Sequence, residues 1–86
     1  MNINELIAIV KNKLEMEIVI QDLKIEDKSF LHKNHKGHQE GKFHLKLTIK
    51  SEELVKSSKI VSTKKVYNVL SFELKHYIHS LQVLFD

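Results

Sequence analysis

The stretch FHLKLTIK, residues 43–50, alternates apolar and polar side chains without a break. Phe43, Leu45, Leu47 and Ile49 fall on one side, and His44, Lys46, Thr48 and Lys50 on the other. A period of two over this length is that of a strand with one side in a core and the other in water. Such a strand cannot stand alone. Its backbone groups need neighbouring strands, and its apolar side needs a covering layer.

The covering layer is foreshadowed at the start of the chain. Ile3, Leu6, Ile7, Val10 and Leu14 recur at helical spacing, and Asn2 followed by Glu5 resembles a capping box. This predicts a helix over 3–15. The pairs Ile18/Ile20 and Leu23/Ile25 are out of phase, so no single straight strand buries both on one face. A connector followed by a strand over 22–27 resolves the conflict. Residues 28–42 read as a long polar loop containing both glycines, and loops of that length are more often functional than incidental. Ser51 is placed to cap a short helix in SEELVKSSKI, and Thr63, Val66, Tyr67, Leu70, Leu74 and Tyr77 predict a main helix over 59–76. YIHSLQVLFD closes the chain as a strand. Simple alternation puts His79, Leu81, Val83 and Phe85 on one face of it, and Ile78, Ser80, Gln82 and Leu84 on the other.

The expected order is αββααβ, in one domain covering residues 1–86. This is an α+β architecture with a three-stranded sheet and helices on one face. With 42% hydrophobic and 29% charged residues, the composition suits a packed soluble domain rather than a disordered chain. No apolar run is long enough to span a bilayer, and the N-terminus has no basic segment of the kind that begins a secretory signal. The expectation is a cytoplasmic protein with no membrane partner. The absence of cysteine excludes disulfides, and any thiolate metal ligand from this chain.

The chemistry lies with the histidines. His32, His35, His38 and His44 fall within residues 32–44, which is four of the six in the chain. Imidazole is a good ligand for zinc or iron. The local pattern fits a solvated polar loop as well as a metal site, because zinc-finger spacing would need cysteines and the HExxH helix is missing. His79 sits where the last strand begins, and a hydrogen-bonded histidine at the core edge accounts for it equally well. His76, near the end of the main helix, suits the negative end of the helix dipole. No GxSxG, GxGxxG or P-loop is present. The fourteen basic residues are all lysine, which lacks the planar fork suited to bidentate base recognition. The αββααβ order is shared with nucleic-acid-binding folds of the KH type, where a GxxG loop approaches the phosphates. The corresponding stretch here, VKSSKI, has lysines and no glycine. Lys59, Lys64 and Lys65 are the candidate phosphate contacts.

Taken in order, four segments resemble the BolA family. LKIED-KS is similar to the family's first strand and its acidic-serine end. HKGHQEGKFHLKLTIKS is similar to its HAGH-type loop and SHFxVxIVS strand. VYNVLSFEL matches VYxxLxxEL of the main helix, and YIHSL matches xIHAL at the start of the last strand. The resemblance covers about 65 residues from Leu23 onward and runs without a gap from Leu54 to Leu81. It implies a class II KH-like fold and a non-enzymatic role: pairing with a monothiol glutaredoxin around a shared [2Fe-2S] cluster, in iron–sulfur trafficking or iron sensing. It further implies His79 as one ligand and His35 or His38 as the second, with His44 in support or as a spare. Glutathione and a cysteine of the glutaredoxin would complete the cluster. The chain alone would be a monomer holding no tightly bound cofactor. Some bacterial members are described as transcriptional or morphology regulators in stress responses, which gives the alternative of weak DNA binding. Three departures matter. The family's RHR is Ser62–Lys64 here, and its glycine before the main helix is Lys56; both weaken the case for nucleic acid. The family's C-terminal TPEEW has no counterpart before Asp86, which shortens the partner surface expected beside His79.

Overall fold

The structure is a computed structural model that describes residues 1–29 and 42–86. The elements run α1 (Ile3–Glu17), β1 (Asp22–Asp27), β2 (Phe43–Lys50), α2 (Glu52–Val55), α3 (Lys59–Val69), α4 (Ser71–His76) and β3 (Ile78–Phe85). Among the described residues the sheet has three strands in the order β1-β2-β3. β1 pairs antiparallel with β2, and β3 pairs parallel with it. The alternating strand is therefore central. It spends its backbone groups on both sides, as its isolated pattern required.

Its apolar side is covered as expected. Leu45, Leu47 and Ile49 are buried together with Leu6, Val10 and Leu14 of α1, Val66 of α3, and Leu54 and Leu70. Each such side chain contributes roughly 1.5–3 kcal/mol on leaving water. The α+β design with helices over a three-stranded sheet is the one expected from sequence.

The local signals act as read. Asn2 Oδ1 accepts from the Glu5 amide at 2.8 Å, while Asn2 Nδ2 donates to Glu5 Oε1 at 2.8 Å. α1 runs two residues further than its apolar stripe, to Glu17. Residues 18–21 form the connector, with Ile18 buried at the helix end. The buried Ser51 hydroxyl accepts from the Leu54 amide, which starts α2, and donates to the Val19 carbonyl at 2.7 Å. That one side chain joins the end of β2 to the α1–β1 connector.

The main helix departs from the single segment expected over 59–76. It is interrupted at Leu70, whose ψ of 17° lies outside the helical range. The backbone still bonds across the break, from Leu70 N–H to Val66 O and from Leu74 N–H to Leu70 O. Side-chain periodicity continues through the interruption, which is why the sequence does not reveal it.

The α4 turn is anchored to α1 by charge. Glu73 is 2% exposed, and Lys13 Nζ donates to its Oε2 at 2.6 Å. The same ammonium lies 5.5 Å from the Phe72 ring centroid. Glu73 Oε1 has no hydrogen-bond partner among the described residues, so the lysine carries most of the compensation for this buried carboxylate. Replacing Lys13 with methionine keeps the packing stem and leaves the charge unpaired. A loss of about 1–3 kcal/mol in urea unfolding is expected, below the cost for fully buried pairs because Lys13 is part-exposed. A double-mutant cycle with Glu73→Gln should recover part of that loss.

Candidate functional site

β2 and β3 pair with a break in register. Phe43 is opposite Ile78, but His44 is opposite Ser80. One residue, His79, is left over on β3. This is a bulge, and bulges redirect side chains. Its cause is visible in the core: Ile78 and Leu81 are both buried, although three residues apart. Plain alternation cannot bury both. The extra residue resets the phase and leaves His79 exposed. The sequence expectation that His79 shares a face with Leu81 and Val83 is therefore overturned.

His44 also differs from expectation. It belongs to the polar phase of β2, yet it is only 5% exposed. Its Nδ1 shares a hydrogen bond of 2.6 Å with Ser80 Oγ. Its ring lies 4.9 Å from that of His79, centroid to centroid, with the planes tilted by 53°. Its backbone holds the far end of β1: the His44 amide donates to Ser29 Oγ at 3.1 Å, and the Lys28 amide donates to the His44 carbonyl at 2.7 Å. Ser29 is itself turned by a bond from its amide to Asp27 Oδ1. The Phe43 amide donates to the Tyr77 carbonyl just ahead of the bulge. One end of the sheet thus gathers two imidazoles, Ser80 and Ser29.

His35 and His38 lie outside the described residues. His76 stands in the last turn of α4, as expected, with its ring 4.4 Å from that of Phe72. Among the described residues no group of three histidine or carboxylate side chains is gathered to hold a metal ion. The donors present are imidazoles, with no thiolate in the chain. Imidazole nitrogen is a donor that iron accepts, and His79 is the exposed one at this end of the sheet. Sequence reasoning did not single out Ser80 or Ser29. A hydroxyl at position 80, where the resembling pattern has alanine, was the available signal.

Lys59, Lys64 and Lys65 are exposed along α3. Lys65 is paired with Glu53 at 3.2 Å. Lys59 and Lys64 have no ion pair among the described residues. On β1, Glu26 sits among cations, 3.8 Å from Lys24 Nζ and 3.4 Å from Lys28 Nζ. Desolvation raises the pKa of its carboxyl, but Lys24, Lys28 and Lys46 outweigh that and hold it below the usual glutamate value.

The chain matches the family described as BolA-like protein over residues 14–85. It belongs to the BolA-like family. It is 32% identical over 73 residues to the DNA-binding transcriptional regulator BolA of Haemophilus influenzae, covering 85% of this chain and 68% of the relative. Among solved structures it resembles the BolA domain of SufE1 from Arabidopsis thaliana, with a TM-score of 0.75 and 29% identity over 92% of this chain and 87% of that one. It also shares its fold with BolA1 from Arabidopsis thaliana, at a TM-score of 0.75 and 24% identity over 91% and 86% of the two chains. Among the described residues of this BolA-like chain, no helix is long and apolar enough to cross a membrane.

A depressed folded-state pKa stabilises above the unfolded value and is lost as pH falls through the folded one. Glu26 should therefore titrate below a free glutamate in a carbon-detected NMR pH series. Glu26→Gln should flatten the acid limb by lowering stability at neutral pH, with little change once the pH is below the folded-state pKa.

Proposed function

We propose that this BolA-like protein is a non-enzymatic adaptor that pairs with a monothiol glutaredoxin and helps ligate a [2Fe-2S] cluster shared with it and with glutathione. The observation that carries this reading is the exposed His79, pushed out by the β3 bulge beside a second imidazole. His79 is the first ligand in this reading, and His35 or His38 the second. β1 ends at Asp27 and β2 begins at Phe43, so His35 and His38 fall in sequence between the two strand ends that meet here. When bound, the cluster supplies transferable iron and sulfide, or a signal of iron status. The chain's own residues contribute neutral nitrogen donors. With no cysteine, the thiolates must come from the glutaredoxin and glutathione. The protein is read as a cytoplasmic monomer that becomes a heterodimer with its partner.

Mixing the protein with a cluster-loaded monothiol glutaredoxin should change the visible circular dichroism. His79→Ala should remove most of that change, and acidification through the histidine range should weaken the complex, because a ligand imidazole must be unprotonated. An unaltered spectrum on mixing would sink the reading.

A second reading rests on the relative from Haemophilus influenzae, which is named a DNA-binding regulator, and on Lys59 and Lys64, which are exposed and have no ion pair among the described residues. In this reading α3 docks on phosphates, with Lys65 contributing less because Glu53 already engages it. Binding should fall steeply with salt, and Lys59→Ala should lower the slope of log affinity against log salt by about one. Gel-shift titration at several salt concentrations decides it: no retardation at low salt ends this alternative.

A further inference from the structure

The bulge that exposes His79 is held by side chains, not by backbone pairing alone. We propose that Ser80 and His44 form a clamp that fixes the bulge and thereby sets the direction of the His79 ring, both acting as positioning residues rather than ligands. This rests on the reading of His79 as a ligand and goes beyond it.

An extra residue in a strand is unpaired on its partner and disrupts the ladder locally. Its side chain keeps one direction only if the neighbours on both sides are fixed. Ahead of His79, the Phe43 amide bonds to the Tyr77 carbonyl and Ile78 is buried in the core. After it, the first fixed point is the 2.6 Å bond between Ser80 Oγ and His44 Nδ1. The His44 ring is buried, so it cannot swing to follow Ser80. Its own backbone is held on the other side by Lys28 and Ser29. The His44 ring then lies against that of His79 at 4.9 Å. Ser80 thus fixes the backbone next to His79, and the His44 ring limits the rotamers of His79 itself. Burial of its ring separates His44 from the exposed His79 and places it to orient that residue rather than to ligate. Ordering a ligating imidazole through its surroundings is how outer residues raise metal affinity.

The family pattern xIHAL has alanine where Ser80 stands, so Ser80→Ala is a substitution the fold should accept. The test uses the full chain. In the free protein, NMR records contacts between the His44 and His79 rings and the side-chain couplings that report the His79 rotamer. In the complex with a [2Fe-2S]-loaded monothiol glutaredoxin, visible circular dichroism and the rate of cluster loss are followed. With Ser80→Ala, the His79 ring should average over several rotamers and the ring contacts should weaken. Cluster loss should accelerate about tenfold, and Ser80→Thr should restore both. His44→Phe keeps an aromatic ring but lacks Nδ1, and should resemble Ser80→Ala. If it does not fold, Ser80→Ala carries the test alone. A folded Ser80→Ala protein whose His79 rotamer and ring contacts match the parent overturns the clamp. Should His79→Ala leave the dichroism of the complex unchanged, the cluster reading fails instead, while the ring measurements in the free protein still decide the clamp.

Discussion

The apolar side of β2 is the surface against which the other elements are packed. Leu45, Leu47 and Ile49 are buried in it, and the strand is paired along both edges. A central strand with one apolar side allows few arrangements. One neighbour can follow through the 28–42 segment and run antiparallel. The other must return parallel, which needs a long crossover, and α2, α3 and α4 supply it. That crossover brings the start of β3 to the start of β2, so Tyr77 and Ile78 meet Phe43. The place where the histidines assemble is a consequence of the topology.

The bulge converts a packing requirement into a site. Burying Ile78 and Leu81 on one side, three residues apart, demands one residue more than alternation provides. The surplus residue is His79, and core packing itself turns it towards solvent. Two buried polar devices accompany it. His44 ties both flanks of the site together through its backbone and its ring. At the helical side, the Glu73–Lys13 pair fixes α4, and hence the approach to β3, against α1. Tyr67 adds a further tie from α3, donating to the Leu81 carbonyl at 2.7 Å. β3 is thus held from both sides around its irregular start.

Much of this was legible one element at a time. The Asn2–Glu5 cap, the stripe of α1, the connector before Leu23 and the Ser51 cap all have causes within a few residues of themselves. Local chemistry decides them, and they stand as read. The break at Leu70 was not legible, because helical spacing of apolar residues passes through it unchanged. The face of His79 was misread, because alternation was carried across a position where β3 holds an extra residue. His44 was read as solvent-facing, since a strand pattern says which side a residue points to and not what lies on that side. The resemblance to BolA proteins named His79 as a ligand, but it could not draw attention to Ser80, where this chain departs from the pattern.

The sequence by itself determined the α+β class, the single alternating strand that organises it, and the lack of any thiolate. Each follows from composition or short-range periodicity. Only the tertiary structure decided that His44 is buried, that it meets a histidine thirty-five residues later, and that Ser80 shares a hydrogen bond with it. Those facts depend on the register between two parallel strands. Register is set by which side chains the core can accommodate, and that is a property of the assembled fold rather than of any segment.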